Sequence, residues 1–461
     1  MVRLRTTRRG RLVVAVLAAG TLGAGGAVVG LGGEDAAPTV TAPAPSPAGP
    51  PVRGALLPAV GTGALLPTAA GLLPAVTATL ADPAVAGRLA VSVVDAVTGE
   101  VVYERGAGTP LLPASTAKIA TAVATLTAVD PQARLRTRVV AGAAPGEVVL
   151  VGGGDPTLAS PQAPTGYPGL ARLTDLADRT RAALAGAPVS RVLVDESLYA
   201  GDRLGPGWKP DYVTGGDVAP VGALMLDGGR VRPGRSQRHV DPALAAGKAR
   251  AALLGPAAQV VRGRAPEGSV ELGQVVSPPV GLLVERMLVR SDNDLAEALA
   301  RQVALAKGQP ASFEGAAAAV AEVLAPTLVA AGVDPDAVDL RDGSGLSRSN
   351  RLQPAALTRV LAAAGTVDRL APVLSGLPVA GFDGTLARRY RSGGGLPAAG
   401  AVRAKTGTLN GVSALAGLVR TADGRLLAFD LTADAVPLGA TRRAEAALDR
   451  LAAVLAGCGC R

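Results

Sequence analysis

A chain of 461 residues, 48% of them hydrophobic, is long enough for about three domains with cores of ordinary size. Its net charge of +9 suggests nucleic acid, but Arg3, Arg5, Arg8, Arg9 and Arg11 sit ahead of an apolar run and supply five of those charges. The +4 left over the remaining chain is no footprint for nucleic acid, and the single histidine, His239, argues against a histidine-based triad or a multi-histidine metal centre. His239 itself, beside the arginines at 235 and 238, reads as a surface residue far from every motif described below.

The stretch from Leu12 to Leu31 is a 20-residue apolar run behind arginines. It reads as an export signal or a single N-terminal membrane anchor, basic end inward, and the choice stays open. Pro38, Pro43, Pro45, Pro47, Pro50 and Pro51 then make a stiff tether, so the folded part is expected from about Leu65. The division expected is 1–35 signal or anchor, 36–64 linker, 65–134 and 278–461 one catalytic unit, and 135–277 inserted structure.

Residues 68–80 read as a short helix, and 89–94 with 101–103 as a hairpin turning at Thr98-Gly99. The chain after Pro113 through Leu126 reads as a buried helix, with Ser115 and Thr116 as cap-type residues and Ile119, Ala122, Val123 and Leu126 at helical spacing. From 134 to 150 the chain alternates like a sheet edge and ends in Gly152-Gly153-Gly154-Asp155-Pro156, a tight turn and not a phosphate loop, because Pro156 and Pro161 block an immediate helix. A helix over 174–184, strands over 190–194, 218–226 and 257–261, and a Gly/Pro-rich loop anchored by Trp208 follow. Helices are expected from 280 through a break at Ser291-Asp292-Asn293, over 312–331 and over 354–364. The loop Asp342–Arg348 between the last two lacks a nucleophile elbow and reads as structural. Three strands joined at Asn410-Gly411 and Asp423-Gly424 precede a closing amphipathic helix over 441–455. Cys458 and Cys460 lie at the extreme end, dispensable for the fold, and a bridge between residues so close would be strained.

Chemistry gathers at three places. Ser115 and Lys118, three residues apart, leave the same face of a helix, a hydroxyl beside an amine. Burial disfavours the charged amine and lowers its pKa by up to ~3–5 units, which is how a lysine becomes a general base. Ser291-Asp292-Asn293 opens a second helix, and Lys405-Thr406-Gly407-Thr408 lies on a strand.

Together S-x-x-K, S-D-N and K-T-G form the motif set of penicillin-binding proteins and class A β-lactamases. The chain resembles the low-molecular-mass penicillin-binding proteins of class C, peptidase family S13, the D-Ala-D-Ala carboxypeptidase/endopeptidases with large insertions between the first two motifs. Gly153–Thr157, Val194–Ser197, Gly205–Trp208, Asp342–Ser347 and Gly384-Thr385 share that look. The resemblance implies an α+β transpeptidase-like fold with an antiparallel sheet, helices on it and a helical lobe. It implies Ser115, Lys118, Ser291 and Asn293 as catalytic residues and Lys405, Thr406, Gly407 and Thr408 as substrate-binding residues. The backbone N–H groups of Ser115 and Thr408 would form an oxyanion hole. Expected partners are peptidoglycan stem peptides and, as covalent inhibitors, β-lactams, with no cofactor or metal, no nucleic acid, and membrane contact only through the N-terminus. The expected place of action is outside the cytoplasmic membrane, in the cell envelope. A class A β-lactamase deacylates with a glutamate between the second and third motifs, where only Glu297, Glu314 and Glu322 occur, all in helical patterns and none in a loop with a neighbouring Asn. A non-catalytic wall sensor would not need the full motif set. The inserted residues 135–277 are expected to be separable from the acylation site.

Overall fold

The computed structural model describes residues 64–459 apart from 86, 167, 168, 256 and 257. The apolar run, the proline tether and Cys460 lie outside the described residues. Residues Ala55–Arg461 group as one compact unit.

The main sheet has strands β1 (Leu89–Asp95), β2 (Val101–Arg105), β10 (Val402–Leu409), β11 (Val412–Arg420) and β12 (Leu426–Ala433), and its order is β10-β11-β12-β1-β2. Every pairing is antiparallel. The N-terminal hairpin thus completes the three C-terminal strands, as expected, with β1 docking beside the last strand of the chain. β1 and β11 are buried almost along their whole length, which explains their near-continuous apolar sequence: the sheet is covered on both faces. One face packs on the helices Ala69–Leu80 and Thr441–Gly457. The other packs on Ala117–Ala128, Val280–Arg290, Asn293–Ala306, Phe313–Ala330 and Pro354–Ala364.

Between the first two motifs a second sheet forms from β3 (Arg136–Ala141), β4 (Glu147–Val151), β5 (Arg191–Asp195), β6 (Gln259–Arg262) and β7 (Glu271–Val276), in the order β6-β5-β4-β3-β7. It is mixed, with β5 parallel to both neighbours. The helices Leu173–Leu184 and Pro242–Leu254 supply its core partners. The alternation over 134–150 therefore belongs to interior strands, not to an edge. Residues 218–226 are not a strand; they carry one isolated bridge, Leu224 to Asp155. The helix Pro242–Leu254 and β7 escaped the sequence reading, the former because its apolar residues surround it instead of forming a stripe. A two-residue pair, β8 (Val338–Asp339) with β9 (Arg351–Leu352), closes the base of the 342–347 loop. Cys458 takes part in a disulfide.

Candidate active site

Ser115 does not begin inside an α-helix. It sits in a 3-10 turn, Ala114–Thr116, and the α-helix starts at Ala117. Thr116 does not cap that helix; its hydroxyl turns back to donate to the Pro113 carbonyl at 2.7 Å. Ala114, just before the serine, is held at φ 48°. A left-handed non-glycine residue costs about 1–3 kcal/mol and persists only where its surroundings enforce it. Two glycines make room for this turn. A Cβ on Gly345 would lie 1.8 Å from the Ala114 carbonyl oxygen, and one on Gly407 would lie 2.6 Å from that of Pro113. The Asp342 loop and the Lys405 strand thus close on the serine turn from two sides.

Lys118 is fully buried. Its Nζ lies 3.0 Å from Ser115 Oγ, 2.6 Å from Asn293 Oδ1 and 2.5 Å from the Ser344 carbonyl oxygen. Burial lowers its pKa to about 8, while Asp342, Glu297, Asp292 and Asp294 pull the other way. The first two motifs are therefore physically joined at one amine.

Ser291 ends the helix Val280–Arg290 in a left-handed conformation at φ 54°, and Asp292 caps the next helix by accepting from Leu295 N. That reversal brings Asn293 to Lys118. The Ser291 hydroxyl makes no hydrogen bond to another described residue. Asn293 Nδ2 donates to the Asp217 carbonyl at 2.9 Å, and the neighbouring Asp294 accepts from Ala219 N at 2.7 Å and pairs with Arg238 at 3.0 Å. Arg238 is buried beside half-buried His239. Arg238 therefore ties this segment to the second motif, contrary to the reading of it as far from every motif, while Arg235, Ser236 and Gln237 stay exposed. Trp208 is the expected anchor, donating to Asp342 at 2.7 Å and packing edge-on against Phe313 at 5.3 Å. Ser347 Oγ donates to the Pro206 carbonyl. Residues 206–238 of the insertion brace the site, which argues against the expectation that 135–277 is separable from it.

The third motif lies on β10, as expected of a strand position. Lys405 is fully buried, donates to the Thr406 carbonyl at 2.9 Å, and has its pKa pushed far down, first by burial and then by the Lys118 charge. The reciprocal repulsion is not among the main influences on Lys118, where burial and four carboxylates dominate. We take burial as the principal cause at both amines, since each is wholly desolvated. Thr406 Oγ1 is 2.9 Å from Thr385 Oγ1, and Thr408 Oγ1 donates to Glu445 at 2.9 Å.

What the sequence reading missed is mostly main chain. The Ser344 carbonyl on Lys118 and the Asp217 carbonyl on Asn293 carry no side-chain signature. The Asp342 loop is structural, as read, but it also delivers Ser344. Asp342 accepts from Gly345 N, Ser347 N and Asn350 Nδ2, and Glu297 accepts from Gly343 N and Ser344 N. Burial raises the pKa of Glu297 to about 6. Among the described residues no three of His, Cys, Asp and Glu come together as a metal-holding group.

The model of the D-Ala-D-Ala carboxypeptidase 3 (S13) family matches residues 72–239 and 234–455. The chain is 45% identical to carboxypeptidase DacB of Mycolicibacterium smegmatis over 97% of its own length and 95% of that protein's. It is 30% identical to the D-alanyl-D-alanine carboxypeptidase of Actinomadura sp. strain R39, over 76% of this chain and 79% of that one. Among solved structures, penicillin binding protein 4 of Haemophilus influenzae superposes with a TM-score of 0.66 at 23% identity, covering 82% of this chain and 98% of that one. The fold is thus the α+β fold of penicillin-binding proteins, and that Haemophilus protein has also been solved in complex with a β-lactam. The chain belongs to the D-Ala-D-Ala carboxypeptidase 3 (S13) family and is a serine-type D-Ala-D-Ala carboxypeptidase.

Proposed function

We propose that Ser115 is the nucleophile and Lys118 its general base, and the observation that carries this is the set of three contacts around Lys118 Nζ. A neutral amine has two N–H bonds and one lone pair. The Asn293 Oδ1 and the Ser344 carbonyl can only accept, so they take the two N–H groups. The lone pair is left facing Ser115 Oγ at 3.0 Å. Ser115 then attacks the penultimate D-Ala carbonyl while its proton passes to Lys118. Ser291, with a hydroxyl not otherwise engaged, relays a proton to the departing D-Ala amine.

Lys405, Thr406, Gly407 and Thr408 bind the substrate in this reading. Burial works against a standing charge on Lys405, so its charge is matched when the terminal carboxylate arrives, not maintained beforehand. The close approach of Gly407 to Pro113 supports an oxyanion hole made by the N–H groups of Ser115 and Thr408, donors worth roughly 3–4 kcal/mol each. Residues 65–134 and 278–461 make the catalytic unit and 135–277 the insertion, supported by a second sheet contained within 136–276.

A D-Ala-D-Ala carboxypeptidase works in the cell envelope, and the arginine-flanked run at 12–31 is the segment that carries this chain there, as signal or anchor. D-alanyl cross-links of stem peptides are further substrates, and β-lactams acylate Ser115. A β-lactamase reading is disfavoured because Glu297 is committed to the Ser344 loop and to Arg301 at 3.3 Å, and Glu322 to Lys307 at 2.8 Å. The test is release of D-alanine from a D-Ala-D-Ala peptide beside cleavage of a cross-linked dimer and hydrolysis of benzylpenicillin. Rapid turnover of the penicillin with no D-alanine release would reverse the assignment.

A further inference from the structure

The insertion contains a cavity of about 540 Å³ that the reaction does not use. That is within the roughly 300–1,000 Å³ of small-ligand sites. One wall is the turn and hairpin of residues 226–239, and the opposite wall is the first turns of the helix Pro242–Leu254. Arg230, Arg232 and His239 line it from the hairpin, and Ala245 and Ala249 from the helix.

Three observations bear on its occupant. The two guanidinium groups outnumber the one carboxylate in the lining, Asp227, whose Oδ1 is engaged by the Ser160 N–H at 3.1 Å. The Ser160 side chain is only 7% exposed, lines the cavity, and its hydroxyl has no hydrogen-bond partner. A buried hydroxyl left unpaired is destabilising, which a ligand acceptor would relieve. Apart from Gln162 and His239, the rest of the lining is apolar, from Leu226, Val231, Pro233, Pro242 and the helix alanines. Such a site fits an anion on an apolar body better than a bare oxyanion, which would leave the floor uncovered.

We propose that this cavity is a second binding site, separate from the Ser115 cleft, for a short carboxylate-bearing peptide, the stem of the wall polymer on which the enzyme acts. This rests on the reaction proposed above. Arginine forks suit a planar carboxylate in two-point contact, and rotation of the Ser160 side chain would let its hydroxyl donate to it. The same hairpin carries Arg238, which pairs with Asp294 beside Asn293, so the second site is built on a wall of the catalytic one.

Calorimetry on the full chain carrying Ser115→Ala tests this with N-acetyl-tri-alanine, its C-terminal amide, and inorganic phosphate. The acid should bind at least ten-fold more tightly than the amide. Arg232→Glu and, independently, the cavity-filling Ala249→Trp should each weaken the acid at least ten-fold, with unfolding midpoints confirming that both variants fold. Equal binding of acid and amide, or no effect of either folded variant, would overturn the proposal. Binding of phosphate without the peptide would overturn the peptide as occupant. Because binding is read without turnover, absence of D-alanine release by the parent chain would count against the reaction and not against the cavity.

Discussion

At the scale of single residues, the account turns on one amine. With Lys118 near a pKa of about 8, the neutral base is the minor form below that pH and the major form above it. Acylation by an ester substrate lacking a carboxylate should therefore rise with pH and level off above about 8, since Lys405 has nothing to bind in that substrate. A pH-independent rate from 6 to 9 would contradict the base role. Lys118→Ala should slow acylation by roughly 10²–10⁴-fold or more, the range of a lost general base, measured by stopped-flow with a penicillin on protein whose fold is checked by circular dichroism. The meeting of Ser115, Lys118 and Asn293 was legible because side chains make it. The two carbonyls that orient Lys118 and Asn293 were not, since any residue can present one.

At the scale of elements, strands and helices with one clear period were readable, including the break at Ser291 and the Asn-Gly and Asp-Gly hairpins. The helix Pro242–Leu254, whose apolar residues form no single stripe, and the short β7 were not, because without a clear period a helix cannot be told from other apolar chain. Loops show the same limit. Gly345 reads as one loop glycine among many, yet it has φ 84° and a Cβ there would strike Ala114. Gly345→Ala should cost about 1–3 kcal/mol in urea unfolding from backbone strain alone and should slow acylation as Ser115 is displaced. Asp342→Ala should also destabilise, by about 1–3 kcal/mol for each buried donor left unpaired, and should lower the acylation rate by loosening Ser344. Either variant acylating at the parent rate would mean the loop does not set the position of Lys118.

At the scale of the whole molecule, the insertion and the catalytic unit share contacts that neither part predicts alone. Deleting 135–277 with a short linker should abolish penicillin labelling outright, because Asp217, Ala219, Trp208 and Arg238 leave with it; a soluble deletion that still labels would show that these braces are dispensable. Stability should also carry a mark of buried charge. Asp430 is fully buried in the main sheet, and burial raises its carboxyl from 3.8 to about 7. The folded protein thus holds a proton there that the unfolded chain has lost. Its contribution to stability is full below about pH 4 and falls away as the pH rises through about 7. Asp430→Asn, which cannot ionise, should flatten the thermal midpoint across that window relative to the parent. The most direct test of the central claim is peptide mapping by mass spectrometry after brief reaction with benzylpenicillin, run beside D-alanine release from a D-Ala-D-Ala peptide. The account predicts a single acyl adduct on Ser115, and loss of both adduct and D-alanine release in Ser115→Ala. An adduct on another residue, or D-alanine release that survives Ser115→Ala, would contradict it.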